Sequence, residues 1–439
     1  MARRFPRGHA LLLTAFIAAT LAWAGLAFYL STRQTAHVMA HRDAVPADFA
    51  ASVSPEEHRK AADYTVAREK LSRIETLLGT AVTLGWALGG IGLLYGALGA
   101  VLPSSLGRGV AFLVATAAVG TLLDLPVVAY KRFVLEKRFG FNRTTPATFV
   151  LDLLRRWAIS AIVAVPLLYA ALWAMRTFTG LWWLWAWIVV VVLMVVAPAV
   201  FVRLIAPRFN TFTRLEDGPL RAGIERLLQG AGFRSSGLFT MDASRRTAHG
   251  NAYFIGFGRS KRIVLFDTLI AKSAPDEIEA VIAHELGHFR HRHIWFGLAQ
   301  GALISFVGLA AFGWLCKQPW LLEAFGVDQG DDAVRLFVCL LLASVVSPLL
   351  APLTNWVSRR NEFQADDYAG RTVGAAPLIS ALTGLARDNA STLTPDPLYA
   401  LAHYSHPPVP IRVRHLRDGA ADPAIVIASG AKQSRTAAK

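Results

Sequence analysis

The stretch LWWLWAWIVVVVLMVVAPAVFV, residues 181–202, carries no charged side chain. Its length suits a helix crossing a bilayer core of about 30 Å, which takes roughly 20 residues. Six further runs have the same character, near residues 9–30, 75–102, 109–130, 157–178, 294–316 and 333–353. The first follows Arg3, Arg4 and Arg7. It is too long for the apolar core of a cleavable signal and lacks a small-residue cleavage site, so it reads as an anchor. The expected architecture is a polytopic membrane protein dominated by α-helix, with seven spans. Composition agrees: hydrophobic residues make up 54% of the 439 and charged residues 17%, with a mean hydropathy of +0.41. These values exclude a disordered chain and argue against a nucleic-acid partner, despite a net charge of +15. Cys316 and Cys339 lie in apolar surroundings, which supports neither a disulfide framework nor a thiolate metal site.

Basic residues set the orientation. The segments after spans one, three and five hold 7, 7 and 14 Lys/Arg, and the tail after span seven holds 10. Between spans, the opposite side holds only Arg108, Arg176 and Lys317. Arg3, Arg4 and Arg7 before span one oppose this bias but are outvoted by three basic loops and the tail. Positive charge collects on the cytoplasmic side, so the large loops and the C-terminus are expected there and the N-terminus outside. The usage of Ala, Arg and Gly suggests a bacterial inner membrane. Five regions result: a membrane region 1–202, a polar region 203–293, spans six and seven over 294–353, a second polar region 354–420, and a flexible tail 421–439. Within 203–293 the pattern predicts a helix over 219–231, strands over 251–257 and 262–266 joined by a turn at 258–261, and a helix from Pro275 through His288.

That last helix carries His284-Glu285-Leu286-Gly287-His288. Residues four apart share a helical face, so His284 and His288 can present imidazoles to one metal ion, while Glu285 stands beside them as a general base. A catalytic zinc wants three protein ligands and an open position. The metzincin pattern needs glycine and histidine where this chain has His291 and Ile294, which excludes that class. His291 and His293 sit at the helix end and read as supporting, interfacial or substrate-side groups. Of the later glutamates, Glu323 falls in a loop expected outside, whereas Glu362 returns to the compartment of the histidines. Glu362 is therefore the expected third ligand. Asp366, four residues on, shares its face and is expected to accept a hydrogen bond from a liganding histidine. Substrates of HExxH enzymes bind extended along a strand edge. Asn251, Ala252, Tyr253 and Phe254, just before the active-site helix, suit that role, with Asn251 holding the substrate backbone.

Six segments together resemble the Ste24-type CAAX prenyl proteases of the M48 metallopeptidases: FGFNRTTPATFVLDLLR (139–155), NTFTRLEDGPLRAGIERL (210–227), NAYFIGFGRSKRIVLFDTLI (251–270), AHELGHFRHRH (283–293), SRRNEFQADDYA (358–369) and HPPVPIR (406–412). The resemblance implies seven transmembrane helices enclosing a water-filled chamber, capped by a small α+β zincin-like (gluzincin) domain. It also implies one zinc ion per chain held by His284, His288 and Glu362, with Glu285 as base and Asp366 supporting. His406 and Arg412 are carried over from the family's C-terminal segment, His406 as oxyanion donor and Arg412 as holder of local geometry or of a substrate carboxylate. One departure is Ile411 before Arg412, where the family commonly has glutamate. The implied activity is peptide-bond hydrolysis in extended or C-terminal segments, lipidated or not, by a monomer in the bilayer. Alternatives are a membrane-protein quality-control protease, or a transporter or scaffold with a relic zinc site.

Overall fold

The computed structural model describes residues 7–103, 105–178, 180–233, 235–255, 262–327 and 330–421. Among the described residues, seven helices are long and apolar enough to span a membrane: Leu11–Ala40, Pro55–Val101, Leu106–Arg138, Pro146–Thr177, Trp182–Arg208, His293–Leu315 and Asp332–Val373. The hydropathy reading found all seven but set several ends too early. Span two begins twenty residues sooner, at Pro55, where Ser54 and Glu57 exchange backbone hydrogen bonds in a capping box. It bends at Gly89, whose φ of 146° is closed to other residues. Span seven does not stop near 353 but runs on to Val373, through Pro348 and Pro352. The region boundary expected at 353/354 therefore falls inside one continuous helix, and Glu362 rides on the span itself.

The spans share a buried core at one end, and along their length spans five and six meet where Trp187 Nε1 donates to the Ala302 carbonyl at 2.8 Å. Phe16 of span one, Ile91, Phe112 and Leu172 of spans two to four, Leu321 of the short helix Trp320–Ala324 and Val338 of span seven form that core. In contrast, the most apolar window of each helix is only 0–22% buried, and that of span six not at all. A solid bundle would bury one face of every helix. The low burial along the apolar lengths accords with helices set around a space, as the expected chamber requires.

At the other end sits a small α+β lobe. Strands β1 (Phe212–Arg214), β2 (Leu238–Met241), β3 (Ala252–Ile255) and β4 (Arg262–Phe266) form a sheet in the order β1-β2-β4-β3. β3 and β4 are antiparallel, with Tyr253 opposite Val264, as the expected hairpin requires. Its turn at 258–261 lies outside the described residues, as does the tail beyond Ala421. β2 pairs with β4 in parallel, a long-range pairing that no local pattern announced. The helix Pro275–Arg290 packs Ile278, Ile282 and Leu286 into the core under this sheet, together with Ile224 and Leu228 of the helix Pro219–Gly230. Its other side is lined by small residues. Ala280 and Ala283 meet Ala369 of span seven, and a Cβ on Gly287 would lie 2.8 Å from the Cα of Ala365. That spacing lets two helices from distant parts of the chain approach backbone to backbone.

Candidate metal centre

The active-site helix starts with Pro275 in its first turn, and the Glu277 carboxylate accepts the Ala274 N–H at 2.9 Å. It ends at Arg290, and two residues on Arg292, a non-glycine residue at φ 58°, ψ 29°, breaks the chain direction before span six begins at His293. Between these points His284 and His288 face Glu362. His288 Nε2 lies 3.3 Å from His284 Nε2 and 3.2 Å from Glu362 Oε1, while His284 Nε2 lies 3.5 Å from Glu362 Oε2. All three ligand atoms fall within 4.8 Å of one another. Two nitrogens bound to one tetrahedral zinc at about 2.0–2.1 Å would stand about 3.3 Å apart. Glu362 is 3% exposed, and its buried Oε2 accepts no hydrogen bond. Leaving such an oxygen unsatisfied is costly unless a cation completes it. The donor set of two imidazoles and a carboxylate therefore fits a zinc-type ion.

The far nitrogens are also engaged. His284 Nδ1 donates to Asp366 Oδ1 at 2.9 Å. Asp366, fully buried, is gripped by Arg412, with Nε to Oδ2 at 2.8 Å and the terminal nitrogen to Oδ1 at 2.5 Å. Arg412 also lies 3.5 Å from Glu362 Oε2. Burial opposes its charge, yet the bonds to Asp366 hold its pKa above the ordinary value. Its guanidinium is thus spent behind the ligands. His288 Nδ1 meets His293 Nδ1 at 2.9 Å, and His293 Nε2 meets Gln364 Oε1 at 2.9 Å. A carboxamide oxygen accepts only, so His293 carries its proton on Nε2 and its Nδ1 lone pair receives the proton of His288 Nδ1. His288 Nε2 is then left as a lone pair aimed at Glu362. Two separate chains of hydrogen bonds fix the two imidazoles.

Burial pushes the Glu285 carboxyl above its ordinary pKa. His406, 65% exposed, stands at the mouth with Nε2 3.3 Å from Glu362 Oε1 and Nδ1 3.0 Å from Ser405 Oγ. The first three side chains of β3 are already occupied. Ala252 and Phe254 face the helical core, Tyr253 faces Met241 and Val264, and Asn251 Oδ1 accepts the Ala252 N–H at 2.8 Å. The part of β3 left for a ligand is the backbone of its outer edge. The bridging of His293 to Gln364 was not anticipated from sequence. Histidine at 293 was visible, but the left-handed turn at Arg292 that swings it back onto His288 was not.

A polytopic membrane domain carrying this ligand set defines a membrane-embedded zinc metalloprotease. Comparison with known proteins agrees along almost the whole chain. Residues 34–211 match the family described as CAAX prenyl protease N-terminal, five membrane helices, and residues 214–420 match peptidase family M48. A CAAX prenyl protease 1 homolog of Arabidopsis thaliana is 36% identical over 304 residues, covering 69% of this chain and 72% of that protein. CAAX prenyl protease 1 of Saccharomyces cerevisiae is 34% identical over 343 residues, covering 73% and 75%. The crystal structure of S. mikatae Ste24p superposes with a TM-score of 0.85 at 29% identity, covering 95% of this chain and all of that one. The chain belongs to peptidase family M48, in its CAAX prenyl protease branch. It has the chambered fold of that branch, and neither the quality-control nor the non-enzymatic alternative is favoured.

The His293 bridge has a measurable consequence. His293→Ala should weaken metal binding by about tenfold or more, read by chelator competition, because His288 loses its orienting partner. His293→Gln, which can still offer an acceptor oxygen, should recover part of the loss. Wild-type affinity in His293→Ala would show that something else fixes His288.

Proposed function

We propose that this chain hydrolyses peptide bonds with one zinc ion held by His284, His288 and Glu362, and with Glu285 as its proton carrier. The observation that carries the assignment is the meeting of three ligand atoms around a buried Glu362 oxygen that accepts no hydrogen bond. When bound, zinc supplies Lewis acidity that polarises a carbonyl and acidifies water. Glu285 takes the proton of the attacking water and returns it to the leaving amine nitrogen, a transfer its raised pKa favours. Asp366 and Arg412 keep His284 in place. His406, at the mouth and largely exposed, is the group free to donate to the oxyanion, so Arg412 takes the positioning role and His406 the catalytic one. The substrate lies as an added strand on the outer edge of β3, since backbone bonding there costs no side-chain contact.

Access limits the substrates. Ligands on the extension of span seven, and on a helix that turns directly into span six, place the centre at the mouth of the space between the spans. Flexible or C-terminal segments, lipidated or not, are the class that can enter. The protein acts as a monomer in the membrane. Its relatives named above are eukaryotic, which lends no support to the bacterial membrane suggested by composition, so the proposal is limited to orientation. The one-sided basic loops favour a catalytic face toward the cytoplasm. Reporter fusions after residues 140, 240 and 420 should then report cytoplasm, and fusions near 105, 179 and 325 the opposite side. An outside signal at 240 would reverse the assignment.

Glu285→Gln separates binding from chemistry. It should keep its metal and bind a flexible peptide, while cleavage falls by roughly 10² to 10⁴. In that complex, amide hydrogen exchange along Ala252–Ile255 should slow. Turnover close to wild type would mean another group activates the water, and unchanged exchange would remove β3 as the substrate edge.

A further inference from the structure

A cleft of about 370 Å³ opens beside His406, between the extramembrane part of span two and residues 390–409. His406, which lines this cleft, also has its Nε2 3.3 Å from Glu362 Oε1, so the cleft adjoins the metal centre. Arg68 and Glu69 of span two line its wall, opposite Tyr399, His403 and Tyr404. Glu69 is 7% exposed. Its Oε1 accepts the Tyr399 hydroxyl at 2.7 Å, but its buried Oε2 has no hydrogen-bond partner. Neighbouring arginines are committed elsewhere: Arg33 to Asp396, Arg73 to Ser31 and Thr35, Arg412 to Asp366. Arg68 is exposed, with its guanidinium 5.6 Å from the Tyr64 ring centroid. Among the described residues it forms no ion pair with a carboxylate. The cleft thus offers one unpaired cation and one buried, unsatisfied acceptor side by side.

We propose that this cleft is a subsite for the chain end of the substrate, in which Arg68 pairs with the terminal α-carboxylate and Glu69 Oε2 accepts the last peptide N–H. A C-terminal residue presents that donor and that anion a few ångströms apart, and an internal segment does not. The other candidate for the carboxylate, Arg412, is buried and already bidentate on Asp366, so it cannot also receive a mobile anion. The subsite rests on the metallopeptidase reading and adds to it a reason for choosing chain ends over internal segments.

The test uses two flexible fluorogenic peptides of one sequence, cleavable near the C-terminus, one ending in a free carboxylate and the other in a carboxamide. Wild-type kcat/KM should favour the acid by about tenfold, mostly through KM, as expected for a hydrogen-bonded charge pair. Arg68→Gln should abolish the preference and leave cleavage of the carboxamide unchanged, and Arg68→Lys should retain part of it. Binding of the same labelled pair to Glu285→Gln protein reads the contrast without turnover, so a failure of the peptidase reading stays separate from a failure of the subsite. Equal treatment of acid and amide by the unaltered protein overturns the proposal, even if Arg68→Gln proves unstable. So does an undiminished preference in Arg68→Gln.

Discussion

The contact between the active-site helix and the extension of span seven governs the rest of the molecule. Gly287 faces the Ala365 backbone so closely that a Cβ would stand 3.0 Å from its carbonyl oxygen. Ala280, Ala283 and Ala369 continue the same narrow seam. At that separation the carboxylate of Glu362 reaches both imidazoles, at 3.2 and 3.5 Å. A larger side chain anywhere along the seam would move the helices apart and open the ligand triangle. The seam also buries four ionisable groups, His284, Glu362, Asp366 and Arg412. Burying charge is tolerable only when the partners are complete. Here each is paired with the others, and the one oxygen without a hydrogen bond, Glu362 Oε2, points to the cation that would finish the network.

This contact is anchored to the membrane domain at both ends. Span seven reaches the site without a break. The active-site helix passes into span six through the single left-handed residue Arg292. The distance from the site to the bilayer is therefore fixed by helix geometry rather than by loops. Irregular backbone and a polar metal site cannot face hydrocarbon, because each unsatisfied group costs several kcal/mol. The spans share a buried core at the far end, while their apolar lengths are little buried by one another.

Much of this was legible in sequence because the signals were strong and local. Hydropathy located all seven spans, the four-residue histidine spacing located one helical face, and the side of the membrane picked Glu362 over Glu323. The features that escaped depend on long-range or conformational facts. Hydropathy measures solvent preference, so it ended span two at residue 75 although the helix continues as a polar rod to Pro55. The short strands β1 and β2 show no alternation long enough to notice, and the parallel β2–β4 pairing joins residues far apart in the chain. Cys316 and Cys339 are free, as their apolar surroundings led us to expect, but sequence did not show that their sulfurs lie 3.8 Å apart where spans six and seven meet. Arg412 was carried over as a holder of local geometry or of a substrate carboxylate, two roles that sequence could not separate; its burial against Asp366 supports the first.

The central claim is that Glu362, delivered by span seven, completes a site begun by two histidines on another helix. Metal content of the purified protein tests it most directly, measured for the unaltered chain and for Glu362→Ala at the same low free zinc. The account predicts about one zinc per chain in the first and near none in the second, with melting of the membrane domain unchanged. Full zinc occupancy in Glu362→Ala would contradict it, since the third ligand would then have to come from elsewhere.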